Sequence, residues 1–240
     1  MRVWLVFALM FLAACQPSGV DSSKPTSEGI PAQTAQSNDG SALGLRAGTQ
    51  AFARAVARVE PVAERMCARS TKGLNCDFKI LLDDNPRKPP NAFQTLERSG
   101  RPVIVFTASL LARAHNDDEI AFVLGHEAAH HIKNHLARQR TNAIAGAVLL
   151  GNLATLTGAG AIGVQTAQEL GAAVGARSYS KDFELEADRL GTVITARAGY
   201  DPVLGSKFFT RIPDPGDRFL GTHPPNADRV KAVRDTAAKL

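Results

Sequence analysis

Two histidines and a glutamate near the middle of the chain have the spacing that metal-assisted hydrolysis requires. His130 follows His126 by four positions, and Glu127 is the residue directly after His126. On a helix with 3.6 residues per turn, the two imidazoles lie about 40° apart and can bind one Zn²⁺ ion. The carboxylate lies about 100° from His126 and can take a proton from a water molecule at the metal. The pattern predicts a catalytic metal site; a helix with surface histidines is the alternative.

The residues around this pattern predict one continuous helix over 116–138. Asn116 or Asp117 can cap its N-terminus, and the acids at 117–119 suit the positive end of the helix dipole. Lys133 suits the opposite end, and no proline interrupts the segment. This helix would hold the two histidines on one face.

Three further histidines lie close to the pattern. On a continuous helix, His131 and His135 lie about 140° and about 180° from His126, so we expect both to face away from the metal as structural or surface residues. His115 precedes the helix and is expected to be a cap-region residue.

A catalytic zinc site usually has a third protein ligand, which must come from another element. Residues 179–198 predict a second helix, with Glu184 and Asp188 one turn apart on one face and Glu186 pointing nearly the opposite way. One of the paired acids can bind the metal, and the other can accept a hydrogen bond from a ligand histidine and fix its tautomer. Spacing alone leaves the two roles open, and a solvated acidic face is the alternative.

Composition limits the class of protein. The 240 residues are 44% hydrophobic, enough for one sizeable core. The formal net charge is +5, but no run of five or more basic residues occurs. We therefore predict a solvated basic surface and no nucleic-acid partner.

The N-terminus resembles a bacterial lipoprotein signal. A basic start and a short apolar run precede small residues and Cys15. We expect residues 1–14 to be the signal peptide, Cys15 to carry the lipids, residues 15–41 to form a flexible tether and residues 42–240 to fold. An ordinary secretory signal is the alternative. Gln16 indicates the outer membrane by resemblance to enterobacterial lipoproteins, so the expected location is the periplasmic face of the bacterial envelope.

Two cysteines remain in the part of the chain that is expected to fold. An exported protein meets an oxidising compartment, so a disulfide between Cys67 and Cys76 is expected, with two separate thiols as the alternative. Because the loop is short, its entropic contribution would be modest.

Short strands are predicted at 78–82, 91–95 and 103–106, ahead of a helical half. This order gives a mostly helical α+β plan.

Residues 143–164 carry no charge, and their length would suit a membrane span. Their five glycines and a turn at 157–160 favour a helical hairpin packed on the core instead. A surface segment that dips into the lipid without spanning it is the intermediate alternative.

Taken together, the motifs resemble the gluzincin zinc metallopeptidases of the CAAX prenyl protease and heat-shock-protease-X type. The resemblance covers about residues 45–240. It rests on the His126 pattern and on Glu184-x-x-Ala-Asp188-x-x-Gly. It is also carried by four shorter matches: Asn91-Ala92-Phe93, Gly199-Tyr200-Asp201-Pro202, His223-Pro224-Pro225 and Arg229.

The chain departs from the family pattern at two points. Lys181 stands where the family often has arginine, so the charge is kept without the guanidinium fork. The four clear membrane spans of the integral-membrane members are also missing. The chain is therefore most similar to the small exported lipoprotein members.

The resemblance implies a zincin-like fold with a small sheet and assigns roles to single residues. Glu184 would be the third zinc ligand, with Asp188 and Arg229 supporting the ligands. His223 would donate to the oxyanion or act as a fourth ligand that gates the site, and a surface histidine is the alternative. The segment Asn91, Ala92 and Phe93 would bind an extended substrate by strand addition.

The expected function is a lipid-anchored zinc endopeptidase of the bacterial envelope, with one Zn²⁺ per chain. Its expected substrates are unfolded or misassembled envelope proteins, and its membrane contact is the lipid anchor. A non-proteolytic assembly factor or chaperone with a structural zinc site is the alternative, although such a site has no need of Glu127 as a base. A prenyl-type processing enzyme is disfavoured because no chamber of membrane helices is predicted. The sequence leaves the oligomeric state open.

Overall fold

A small sheet and the helices packed on it carry the candidate site. The computed structural model describes residues 37–178, 180–213 and 224–240, so Cys15 and His223 lie outside the described residues. The strands are β1 Lys79–Asp83, β2 Ala92–Leu96 and β3 Pro102–Thr107. The helices are α1 Ser37–Ser70, α2 Ala108–Leu111, α3 Asp117–Ile132, α4 His135–Leu156, α5 Ala161–Ser178, α6 Ser180–Arg197, α7 Pro202–Gly205 and α8 Asn226–Ala237, with a 3₁₀ turn over Ser206–Thr210 before α8.

The sheet has the order β1-β3-β2, and β3 is its buried centre. β1 runs parallel to β3, whereas β2 is antiparallel to it. One edge of β2 therefore has no strand partner among the described residues. This mostly helical α+β plan with a small sheet confirms the fold class that the sequence predicted.

Helix α3 lies in the core between α1 and α6. Its buried residues include Phe122 and Leu124, and Phe122 packs edge-to-face on Phe209. Gly125 of α3 and Gly191 of α6 bring the backbones of the two helices close together. A Cβ added to Gly191 of α6 would lie 2.9 Å from the backbone nitrogen of His126. Because the helices approach so closely, side chains of α6 can reach the histidines of α3.

The N-terminus of α3 is held by two capping hydrogen bonds. The Asn116 side chain accepts a hydrogen bond from the backbone N–H of Glu119, whose carboxylate accepts one from the N–H of His115. Arg211 also pairs with the buried Glu119. Asn116 is therefore the cap, and His115 belongs to the cap region as the sequence indicated.

The prediction of one continuous helix over 116–138 is wrong. Helix α3 ends at Ile132, and α4 begins at His135. Between them, Asn134 has a φ of 55°, in the left-handed region that asparagine tolerates better than most residues. The break turns the chain in a new direction, so helical angles counted from His126 do not apply beyond residue 132.

Helix α1 begins at Ser37 and continues through Pro61 to Ser70. Near its C-terminal end, Cys67 forms a disulfide with Cys76, with Cα atoms 5.7 Å apart. The bond ties α1 to the segment that leads into β1.

Replacing Cys67 and Cys76 together by serine is expected to lower the free energy of unfolding by about 2–3 kcal/mol. The unfolded chain gains the entropy that the short disulfide loop removes. Chemical denaturation of the oxidised protein and of the double variant measures the difference. Full reduction of the wild type should give the same loss, whereas an unchanged free energy of unfolding would contradict the prediction.

Helices α4 and α5 form the hairpin that was predicted for residues 143–164. Its turn lies at 157–160, where Gly158 has a φ of +80°. The helices pack mainly on each other, because Cβ atoms on Gly146 and Gly171 would each lie 2.1 Å from a backbone oxygen of the facing helix. The expected packing on the core is limited to the base of the hairpin. Among the described residues, none of the helices combines the length and the apolar character that a membrane span requires.

Candidate active site

Helices α3 and α6 bring three potential metal ligands together. The Nε2 atoms of His126 and His130 lie 3.0 Å apart. The carboxylate of Glu184 on α6 reaches both rings, with Oε2 3.5 Å from Nε2 of His126 and Oε1 3.4 Å from Nε2 of His130. All three donor atoms fall within 4.8 Å of one another. Two imidazoles and one carboxylate are a typical ligand set for catalytic zinc, so the donor set fits that ion.

His126 is held from behind by a buried ion pair. Its Nδ1 lies 2.9 Å from Oδ1 of Asp188, which has no exposed surface. Arg229 of α8 donates two hydrogen bonds to the same carboxylate, at 2.7 and 2.8 Å. Its guanidinium carbon lies 3.7 Å from the ring centroid of Phe209. Because Nδ1–H of His126 donates to Asp188, the lone pair on Nε2 is directed at the metal position.

The electrostatics of this group favour a cation at the metal position. Burial, the largest effect, lowers the pKa of His126, but its hydrogen bonds to Asp188 and Glu184 raise it to about 9. Burial raises the pKa of Asp188, yet the charge of Arg229 brings it below the ordinary value. Without a metal, the same acids therefore stabilise a proton on His126, and zinc binding replaces that proton.

His135 contacts His130, one of the three potential metal ligands, contrary to the prediction that it faces away. Its Nδ1 lies 2.9 Å from Nδ1 of His130, and its Nε2 lies 3.1 Å from Oε2 of Glu186. The ring is buried and stacks on Phe183 with centroids 4.6 Å apart. The break at Asn134 is the physical reason, because it moves residue 135 out of the helical direction of α3.

The contacts of His135 assign the proton on each ring. Burial, the largest effect, lowers the pKa of His135 to about 4, so the ring is neutral. Burial raises the pKa of Glu186, but hydrogen bonds from Arg138, His135 and Lys133 lower it to about 2. The charged Glu186 accepts Nε2–H of His135, whose Nδ1 is left to accept Nδ1–H of His130. His130, like His126, thus directs the lone pair of Nε2 at the metal position.

His135→Gln is expected to weaken zinc binding about 10- to 100-fold, because His130 loses the partner that fixes its ring orientation and tautomer. Competition with a zinc chelator measures the affinity. His131→Gln is the matched control. His131 is buried, its Nε2–H donates a hydrogen bond to the backbone oxygen of Asn75 at 2.7 Å, and its ring packs on Phe78. Equal losses of zinc affinity in both variants would contradict the assignment.

The ligands open into a cavity of about 560 Å³. Glu127 is half-buried in its wall, next to His126 and His130. Asn91, Ala92 and Phe93 line the same cavity at the start of β2, and Phe93 is 43% exposed. Among the described residues β2 is an edge strand, so backbone groups on its outer side are available to an extended chain.

An HExxH helix, an acidic ligand from a second helix and a strand edge along the cavity together define a zinc metallopeptidase. The chain belongs to peptidase family M48, whose model matches residues 53–237. Zinc is accordingly the metal that these ligands are suited to hold.

Three similar proteins illustrate the relationship. A Vibrio cholerae protein described provisionally as a beta-barrel assembly-enhancing protease is 33% identical over 187 residues, which cover 68% of this chain and 38% of that protein. The mitochondrial metalloendopeptidase OMA1 of Saccharomyces cerevisiae is 32% identical over 64% of this chain and 45% of its own length. The beta-barrel assembly-enhancing protease of Escherichia coli K12 is 28% identical over 57% of this chain and 31% of its own length. The chain thus spans less than half of each relative.

The structure brings together most of the residues to which the sequence gave roles. His126, His130, Glu184, Glu127 and the Asn91 segment surround one cavity, with Asp188 and Arg229 directly behind the ligands. Sequence reasoning missed His135 and Glu186 as support for His130, and Phe209 beneath Arg229. Asn134 was the residue in the sequence that could have indicated the changed direction of His135, because asparagine is common in left-handed turns.

Proposed function

We propose that this chain is a zinc-dependent endopeptidase of the bacterial cell envelope that cleaves unfolded or misassembled proteins. The observation that carries the proposal is the common cavity of the three ligands, Glu127 and the edge of β2. A site that only stabilised the fold would close around its metal, whereas these ligands line a cavity that the described residues leave open. This difference disfavours the alternative of a non-proteolytic assembly factor with structural zinc.

The residues divide the chemistry between them. Zinc, when bound, polarises a peptide carbonyl and lowers the pKa of a water molecule. Glu127 takes the proton of the attacking water and passes it to the leaving amine. Asp188 and His135 keep both imidazoles in the tautomer that ligation needs. The exposed Phe93 and the edge of β2 position the substrate as an added strand.

The expected substrate class follows from this mode of binding. Strand addition needs a backbone that is not already hydrogen-bonded, so an unfolded segment fits and a folded protein does not. The names of the bacterial relatives, assembly-enhancing proteases of beta-barrel proteins, support an envelope role. The resemblance to the heat-shock-protease-X type is a further ground for this proposal.

The experiment is cleavage of a casein-like unfolded protein by the full chain, beside a tightly folded protein of similar size. We expect cleavage of the unfolded substrate alone, its loss after a chelator removes the metal, and its return with added zinc. Zinc binding without cleavage of any substrate would contradict the proposal and favour the assembly factor.

The location is proposed from Cys15, which would carry the lipid anchor at the periplasmic face of the outer membrane. Expression of the wild type and of Cys15→Ser with radiolabelled palmitate tests this part separately. We expect label and membrane fractionation in the wild type only. Equal labelling of both proteins would remove the lipoprotein part and leave the peptidase part intact.

A further inference from the structure

The hairpin of α4 and α5 exposes large apolar side chains that neither the core nor the active site uses. In the hairpin beyond its base, α4 has only Gly151 buried and α5 only Gly171. The exposed fractions are largest at the tip, where Leu156 is 85% and Ile162 is 84% exposed. The other exposed apolar side chains of the hairpin are Leu136, Ile144, Val148, Leu149, Leu153 and Leu170. Contiguous apolar surface of this kind marks an interaction site.

This apolar surface is preformed. Gly146, Gly171 and Gly175 let the two helix backbones approach so closely that a Cβ on any of them would lie 2.1 Å from an oxygen of the facing helix. The glycines lie on the inner face of the hairpin, where the two helices contact each other. The large apolar side chains of α4 lie on its outer face and at the tip, where the described part of the chain leaves them exposed.

The charges of the hairpin are confined to its base and to one side. Residues 141–168 carry no charged side chain. Arg138 and Arg140 are exposed near the start of α4, and Arg177 is exposed in the last turn of α5. A hydrogen bond from Gln139 to the backbone oxygen of Ala176 places these two ends side by side. The outer face of α5 is mainly polar instead, with Gln165, Thr166 and Glu169 exposed around Leu170.

We propose that the hairpin inserts its tip and the outer face of α4 into one leaflet of a lipid bilayer that contains anionic lipids. The run from Arg140 to Leu156 is about 24 Å long at 1.5 Å per residue, and half of a bilayer's apolar core is about 15 Å thick. The tip can therefore reach the acyl chains while the arginines stay at the height of the headgroups. Anionic headgroups complement Arg140 and Arg177, each of which contributes to binding at such a surface, whereas Arg138 is already paired with Glu186.

A second copy of the chain fits these observations less well than lipid. Two hairpins packed side by side along α4 would leave the most exposed residues, Leu156 and Ile162, at the tip in water. They would also bring the arginines at the two bases near one another. Insertion of the tip covers the most exposed residues first and separates the charges from the apolar part.

The test uses the fluorescence of a single tryptophan at the tip. The chain has one tryptophan, Trp4, so Leu156→Trp in a Trp4→Phe background reports only on the hairpin. The full chain is mixed with vesicles of phosphatidylethanolamine and phosphatidylglycerol, with or without bromine on the acyl chains. We expect a blue shift of the emission and quenching by the brominated lipids, both weaker with phosphatidylcholine alone. Leu240→Trp in the same background is the control probe at the C-terminus, beyond the end of α8, and its emission should not change.

A matched pair of variants links the signal to the apolar face. Leu149→Ser with Leu153→Ser should abolish the quenching at position 156, whereas Gln165→Ser with Thr166→Ser on the polar face should preserve it. Emission at 156 that stays water-like while the protein floats with the vesicles would overturn the proposal, because the membrane contact would then lie elsewhere. A blue shift that grows with protein concentration without lipid would also overturn it, in favour of a second copy. The readout does not depend on peptidase activity.

Discussion

Glu127→Gln lowers peptide-bond cleavage by about 10²–10⁴-fold while zinc binding stays at the wild-type level. Glutamine keeps the shape of the side chain but cannot take a proton from water at neutral pH. Glu127 is absent from the set of three converging ligands, which is formed by His126, His130 and Glu184. The variant therefore loses the catalytic base without losing the metal.

The measurement combines the initial rate on an unfolded substrate with zinc content of the same sample. Glu64→Gln on α1 is the matched control, since it makes the same chemical change on a helix outside the cavity wall. Wild-type rates in Glu127→Gln would exclude the residue as the base. Loss of zinc from that variant would instead place the carboxylate among the ligands and contradict the three-ligand site.

Asp188→Asn is expected to have the largest effect on stability, a loss of about 3–5 kcal/mol in the free energy of unfolding. Asp188 is fully buried and Arg229 is 6% exposed, so the neutral amide leaves a buried guanidinium without its closest counter-charge. The amide also weakens the hydrogen bond to His126, and we expect zinc affinity to fall about 10- to 100-fold.

Denaturation in the presence of a chelator isolates the ion pair, because bound metal would otherwise add to the stability of the folded state. Asp235→Asn is the control. Its pairing with Lys231 lies on the surface, so the free energy of unfolding should hardly change. Asp188→Leu combined with Arg229→Met should recover much of the stability without recovering zinc affinity. Equal stability of Asp188→Asn and the wild type would contradict the role of the ion pair.

Local rules were sufficient for the first two ligands and the base. His126, Glu127 and His130 fall within little more than one helical turn, and helix geometry alone fixes the directions of side chains over that distance. The same rules placed Glu184 and Asp188 on one face of a second helix. They could not decide which of the two is the ligand, because that choice depends on how α6 lies against α3.

Local rules failed where a single backbone conformation changed the direction of the chain. His135 was expected to face away, yet Asn134 in the left-handed region ends α3 and turns His135 onto His130. The hairpin shows a second limit. Its glycines and its turn were readable in the sequence, but its separation from the core depends on close contact between α4 and α5.

The sequence by itself determined the zinc chemistry, the mostly helical plan with a small sheet and the residues available to a metal site. These features follow from residue type and helical period, which act over a few positions. Only the tertiary structure decided that Glu184 meets both histidines, that Arg229 from the last helix neutralises Asp188, and that His135 supports His130. These contacts join segments far apart in the chain or across a break in a helix, and close packing around Gly191 sets their distances.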